Sequence, residues 1–254
     1  MGKESGMRER AAGLSVMDQV VRLQDAAPPR SALARALGVN PLTEEAESWF
    51  AGATGEREVG VVLSRLPEGW TAFHAVPVGR DESDIDHLVV GPGGVFSVNT
   101  KHHRGKKVWV GAKAVLVDGT HEPYIRNSEF EASRVRRLLA ERGLTAPVHA
   151  MVAVVGAAKF SVAQQPPRVS IVQSSELLRS IRRRPNVVDP ATTAAIVDLF
   201  DHPETWRADQ SGPDTVGRFE AIARGVRSAA FVRRGWLLAG ALALVAVGEA
   251  LLLR

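Results

Sequence analysis

A carboxylate at Asp86, an amide at Asn99 and an ammonium at Lys101 are placed by the stretch DIDHLVVGPGGVFSVNTKHH. Two apolar, strand-like runs, IDHLVV and GVFSVN, flank a tight GPGG turn. If the runs pair as a hairpin, Asp86, Asn99 and Lys101 gather at its open end. Asn99 and Lys101 share one strand face because side chains alternate. Carboxylate and amide oxygens suit a hard divalent cation, and an ammonium suits a phosphate. The glycines of GPGG serve the turn; no helix follows them, so a phosphate-cradling loop is not expected. His102 and His103 are adjacent and point to opposite faces, a poor arrangement for one metal. His87 and His102 could approach across neighbouring strands, but substrate contact or plain surface is the better expectation for both. Lys101, Arg104, Lys106 and Lys107, with Trp109, form a basic patch carrying one aromatic. That suits a nucleic-acid backbone, or equally a solvated hairpin tip.

The elements that must position these groups are legible in outline. SVMDQVVRLQ has helical spacing and ends before Pro28-Pro29; a second short helix is expected at Ser31–Leu37. TEEAESWFAGATGEREVGVVLSRL reads as helix capped by Thr43, with Trp49, Val59, Val62, Leu63 and Leu66 on an apolar face. Strands follow in WTAFHAVPV, IDHLVVGP, GVFSVNTK and KKVWVG, and AVLVDG turns at Asp118-Gly119. Asn127–Gly143 is an amphipathic helix with Phe130, Val135, Leu138 and Leu139 inward and Arg134, Arg136 and Arg137 mostly outward. VHAMVAVVG is a buried strand, VSIVQ a shorter one, SSELLRSIRRR a Ser-capped helix and Pro190–Phe200 a final helix. Strands with interspersed helices indicate an α/β domain with a central mixed β-sheet flanked by helices. The expected organisation is a partly helical lead-in (1–40), a folded domain (41–201), a polar then basic linker (202–234) and an apolar C-terminus (235–254).

Composition narrows the classes. The chain has no cysteine, which excludes disulfides and thiolate metal sites. Its formal charge of +4 favours anionic partners. No G-x-S-x-G, Walker-type or dinucleotide fingerprint appears. The run GWLLAGALALVAVGEALLL, ending in Arg254, is nearly all apolar. At helical rise it covers about 28 Å, close to the hydrocarbon thickness, so a C-terminal transmembrane helix is expected. Trp236 suits the interface and Arg233 and Arg234 the cytoplasmic side, giving a single-pass cell-membrane protein with a cytoplasmic domain. The alternative is a buried amphipathic helix.

The blocks WFAGATGEREVG, IDHLVVGPGGVFSVNTKHHRG and RNSEFEASRVRRLL resemble the nuclease-related (NERD) domain over roughly residues 45–160. That family is grouped with restriction-endonuclease-like nucleases, whose signature is Asp, a spacer, then (Asp or Glu)-x-Lys. The resemblance implies a restriction-endonuclease-like core and Mg²⁺-dependent phosphodiester cleavage. Asp86 matches the first position and Lys101 the last. Glu56 matches the acidic residue borne on the preceding helix. The implied metal ligands are Asp86, Glu56 and Asn99. His102, Arg104, Lys106 and Lys107 are candidates to contact nucleic acid. Asn99 departs from the pattern: a neutral carbonyl oxygen replaces a carboxylate and weakens the hold on a hard cation. Glu56 or Glu131 would have to supply the missing charge. Three readings stay open: a membrane-tethered nuclease, a catalytically degenerate nucleic-acid-binding module, and a membrane-anchored interaction scaffold. The oligomeric state is not legible.

Overall fold

The structure is a computed structural model and describes residues 6–78, 84–207, 211–212 and 214–252, apart from the side chains of 243 and 246–252. The chain divides into two units, one of Met1–Val16 with Ala51–Ser211 and one of Met17–Phe50 with Gly212–Arg254. Two helices, α1 (Leu14–Ala26) and α3 (Glu44–Leu63), run from one unit into the other.

The larger unit is mixed α/β. Its main sheet has the order β1-β2-β3-β7-β9, from β1 (Thr71–Pro77), β2 (Asp84–Gly91), β3 (Gly94–His102), β7 (Val148–Val155) and β9 (Val169–Gln173). The first three strands form an antiparallel meander, and β7 and β9 add in parallel to β3. A second sheet, ordered β6-β5-β4-β8, holds β4 (Lys107–Val110), β5 (Val115–Val117), β6 (Thr120–Glu122) and β8 (Lys159–Val162). β6 and β8 are short and mostly polar or exposed, so no apolar period announces them.

Alternation along the strands sorts the core into two faces. On one, Leu88, Val90 and Val95 lie under Val135 and Leu139 of α4 (Tyr124–Glu141) and Ile196 and Phe200 of α6 (Pro190–Asp201). On the other, Val89, Phe96, Val98 and Met151 lie under Val59 and Leu63 of α3 and Leu177 and Ile181 of α5 (Leu177–Arg182). Strand β7 is buried on both faces, as its unbroken apolar run requires. Val108, Val110, Val115 and Val117 of the second sheet pack with Val152, Val154 and Tyr124.

Three details differ from the expected helices, the first being Trp49, which is 41% exposed although expected on the apolar face of α3. Phe130 is 63% exposed instead of lying inward; Ser128, Ala132, Val135 and Leu139 form the buried stripe. Ser174 does not cap α5, because a 3-10 turn (Ser174–Glu176) precedes that helix and the Ser174 hydroxyl donates to Glu58 Oε1 at 3.3 Å.

In the smaller unit, α2 (Ala32–Ala36) is capped by Ser31, whose side chain accepts from the Ala34 N–H. Asp18 holds the start of α7 (Thr215–Leu252), accepting from Gly212 N at 2.9 Å and Thr215 Oγ1 at 3.0 Å. Phe50 and Phe219 stack with centroids 5.2 Å apart. The C-terminal expectation needs correction. Residues 215–234, expected as linker, form the first half of α7. Among the described residues no helix is long and apolar enough to cross a membrane. Trp236, expected at a lipid interface, donates its indole N–H to the Ala36 carbonyl at 2.8 Å.

The β2–β3 hairpin fixes the open end where Asp86, Asn99 and Lys101 stand. Its turn is Pro92-Gly93, and Gly94 follows at φ 114°. A Cβ on Gly94 would lie 2.5 Å from the Pro147 carbonyl oxygen, which accepts from Val95 N at 2.9 Å. Strand β1 is locally interrupted at the other end: its register pairs His74 with His87 and Val76 with Ile85, and Ala75 between them has φ 48°. Asp86 thereby lies outside the β1–β2 register. His74 and His87 meet Nδ1 to Nδ1 at 2.8 Å, and His87 Nε2 pairs with Thr100 Oγ1 at 3.2 Å. Burial pushes His74 down to about 4; burial and then His74 push His87 well below the usual histidine range.

Two predictions follow from this hairpin. Gly94→Ala places a side chain in a left-handed conformation against immovable backbone, so urea unfolding will show a loss of at least ~2 kcal/mol. Unchanged stability would contradict the close approach. The neutral His74–His87 pair stabilises the fold fully above the unfolded histidine pKa near 6.5. That contribution is lost as pH falls toward 4, because only the unfolded chain takes up the protons. The stability advantage of wild type over His74→Phe/His87→Leu will therefore shrink by on the order of 2 kcal/mol between pH 7 and pH 4. A constant difference would exclude a neutral buried pair.

Candidate active site

Two strands and two helices bring the charged groups together. Asn99 and Lys101 lie on the α4-covered face of β3, at its C-terminal end. Asp86 comes from the facing part of β2 and is half-buried. Its Oδ2 accepts the Thr100 N–H at 2.6 Å, which fixes it beside Asn99. Glu131 enters from α4, and its Oε1 accepts from Asn99 Nδ2 at 2.7 Å. Glu56 enters from α3. The helix can approach because residue 55 is glycine: a Cβ there would lie 2.9 Å from His102 Cβ. Asp84, at the start of β2, accepts from the Ser15 hydroxyl and lies 3.7 Å from Arg207. Lys101 Nζ sits over the Tyr124 ring, 5.4 Å from its centroid, and the Tyr124 hydroxyl pairs with His103 Nε2 at 2.8 Å.

The electrostatics of the cluster are strongly biased. Burial pushes the Glu56 carboxyl well above the usual carboxylate range; Asp86, Asp84 and Glu131 push it the same way, and Lys101 opposes them. Burial raises Asp86 as well, against Lys101 and the Thr100 N–H. Glu131 is pushed up to about 7, by burial first and Asp86 second, against the Asn99 hydrogen bond and Lys101. Thus four carboxyl groups crowd around Lys101, and although Arg207 lies beside Asp84 and Arg134 also acts on Glu131, burial still raises Glu56, Asp86 and Glu131.

The sequence placed Asp86, Asn99, Lys101 and Glu56 in one site, and these groups act on one another here, with Glu131 as a fifth member. His87 is not among them; it belongs to the histidine pair. His102 is half-buried against α3 and does not meet His87. Arg104, Lys106 and Lys107 stand exposed on the connection from β3 to β4, just beyond Lys101. Tyr124 and His103 were not anticipated as neighbours of the lysine. The signal available was modest: Tyr124 is the single tyrosine of the chain and opens the helix that carries Glu131.

Among the described residues no group of three or more His, Asp or Glu side chains is already gathered to hold a metal ion. Two oxygens at the centre are nevertheless buried without a hydrogen-bond partner, Asn99 Oδ1 and Glu131 Oε2. Together with the Asp86 carboxylate they form an all-oxygen set of the kind that hard divalent cations take. Glu131 also lines a recess of about 430 Å³ with Asp84, Arg126 and Asn127, which gives this side of the cluster an opening. The residues fit a cation that draws them together; they do not form a rigid cage without one.

A prediction follows from Glu131. Its raised carboxyl contributes stability that is full below the unfolded value near 4.5 and lost as pH rises through about 7. Without divalent cations, Glu131→Gln keeps the acceptor for Asn99 and removes the charge. It will be more stable than wild type at pH 8 by on the order of 1–3 kcal/mol, and the gap will close toward pH 5. Parallel stability–pH curves would contradict the crowded-carboxylate geometry.

Comparison with known proteins agrees with the site's position in the chain. No curated protein and no solved structure matches. The family model of the nuclease-related domain, NERD, matches residues 51–155, a stretch that contains Glu56, Asp86, Asn99, Lys101 and Glu131. Over residues 51–155, under half of its length, the chain is similar to the nuclease-related domain family.

Proposed function

We propose that the cluster around Lys101 is a phosphodiester-cleaving site that works with a divalent cation, Mg²⁺ being the natural choice, and acts on nucleic acid. The observation that carries this reading is the crowding of buried Glu56 and half-buried Asp84, Asp86 and Glu131 around Lys101, beside two unpartnered oxygens. Such an arrangement costs folding energy unless protons or a cation balance it. Asp86, Asn99 Oδ1 and Glu131 Oε2 are the oxygens that would hold the cation, with Glu56 beside them. When bound, the cation supplies positive charge to the scissile phosphate and acidifies water. The chain's own groups do the rest. Lys101, held over Tyr124, presents its ammonium to a phosphate oxygen and offsets charge that develops there. Asp86, fixed by the Thr100 N–H, keeps one oxygen for the site. Glu56, whose burial raises its affinity for protons, lies beside those ligands and is the carboxyl suited to take a proton from the attacking water. Arg104, Lys106 and Lys107 form an exposed basic edge that suits the phosphate backbone.

A second reading, a nucleic-acid-binding module without hydrolysis, is favoured by one observation. Asn99 stands where the family pattern has an acid, and its amide is tied to Glu131. Cleavage separates the two. With Mg²⁺, wild type will cut labelled oligonucleotides, and Asp86→Asn and Lys101→Ala will each lower the rate at least ~100-fold. Salt-sensitive binding with no Mg²⁺-dependent cleavage would reject the first reading and support the second. Asn99→Asp adds a carboxylate beside Glu131. It will lower stability without metal and tighten Mg²⁺ binding at least ~10-fold, measured by calorimetry. Unchanged Mg²⁺ affinity would remove Asn99 from the coordinating set.

A further inference from the structure

Helix α4 separates two recesses in the larger unit. One is the opening of about 430 Å³ that Glu131 lines. The other, of about 990 Å³, lies between α4, the start of β7 and the segment leading into β9. Arg126 and Phe130 line both, one helical turn apart, and form the ridge between them. The larger recess carries Arg126, Arg136, Arg168 and Arg184, and among the described residues its one lining carboxylate is Glu129. Two of these guanidinium groups are held in place. Arg184 donates to Ser170 Oγ at 2.9 Å, and Arg136 donates to the Val148 carbonyl at 3.2 Å. Arg126, Arg136 and Arg168 are exposed. This is a concave wall of positive charge that opens onto the ridge leading to the carboxylate cluster.

Phe130 adds the second observation. A phenylalanine on an amphipathic helix ordinarily faces the core, yet this ring is 63% exposed at the crest of the ridge. The Arg134 guanidinium lies over it, 5.6 Å from its centroid, so the ring is positioned although the core does not hold it. Four arginines fit successive phosphates, and an exposed ring between them and the catalytic groups fits the face of a base. Stacked bases inside a duplex offer no such face at mid-strand; unpaired bases do.

We propose that the arginine-lined recess binds the backbone of single-stranded nucleic acid, and that Phe130 stacks on an unpaired base as the strand crosses α4 toward Lys101. The inference rests on the nucleic-acid reading of that site and deepens it by naming a single-stranded substrate. The ring and the arginines are binding residues, separate from the groups that act on the phosphate.

The test measures binding in EDTA, where cleavage plays no part. Fluorescent twelve-nucleotide single strands of DNA and RNA, the matching DNA duplex and an abasic strand are titrated into the full chain. Wild type will bind the base-bearing single strands at least tenfold tighter than the duplex or the abasic strand. Phe130→Ala will remove most of the preference over the abasic strand, weakening binding about tenfold, and Phe130→Trp will restore it. Arg136→Ala/Arg168→Ala will weaken all strands and lower the salt slope by about 1.4, two phosphates at roughly 0.7 each. A difference between DNA and RNA arms identifies which strand is preferred, and preference for either supports the site. Equal binding of duplex and single strand, or variants that bind as wild type does, would overturn the proposal. Competition by a polyglutamate peptide as strong as by the oligonucleotide would overturn it too, pointing to an acidic protein partner. If the recess binds as described but Mg²⁺ gives no cleavage, the catalytic reading fails and the binding site stands. If cleavage occurs and these variants leave it and the binding unchanged, the reverse holds.

Discussion

The interaction on which this structure turns is the crowding of carboxyl groups around one ammonium. Glu56, Asp84, Asp86 and Glu131 lie in electrical contact, and Lys101 is the one cation that opposes them in both Glu56 and Asp86. A core built only for stability would not retain such a group of acids. The surrounding elements are arranged to hold it in place. Gly94 lets the hairpin close against Pro147, the Thr100 N–H fixes Asp86, and Gly55 lets α3 deliver Glu56. The two glycines carry a structural cost, left-handed backbone at Gly94 and a missing side chain at Gly55, that positioning the charged cluster accounts for.

The cluster is asymmetric in a useful way. Toward α4 it ends in a carboxylate tied to Asn99 and an opening to solvent. Beyond the end of β3 it continues into the exposed Arg104, Lys106 and Lys107 stretch. Negative charge sits at the centre, where a cation would be recruited. Positive charge sits outside it, where a polyanion would be steered. Tyr124 links the two regions: its ring lies under Lys101 and its hydroxyl pairs with His103, which precedes the basic connection.

Much of this was legible in the residues. The hairpin announced itself because apolar runs flank a glycine-proline turn, and alternation then placed Asn99 and Lys101 on one face. Glu131 could be named as a source of missing charge because it lies in a block resembling the family. The side of α4 that faces the core was misjudged at Phe130. The true buried stripe runs through Ser128 and Ala132, small residues that let the helix lie close to β3 and β7, and a ring just off that stripe is left outside. The His74–His87 pair depends on cross-strand register, which the sequence does not fix when Ala75 adopts a left-handed conformation. β6 and β8 lacked any apolar period. At the C-terminus, apolar composition suggested a separate spanning segment, whereas the helix begins twenty residues earlier at Thr215 among arginines.

On the proposed reading, the carboxyl cluster recruits a divalent cation and gives up protons to do so. Calorimetric titration of Mg²⁺ into the full chain at pH 7, repeated in buffers of different ionisation enthalpy, measures both. The account predicts one saturable binding event whose apparent enthalpy changes with buffer, reporting proton release, and whose heat disappears in Asp86→Asn. Absence of saturable heat, or binding indifferent to both buffer and Asp86, would contradict it.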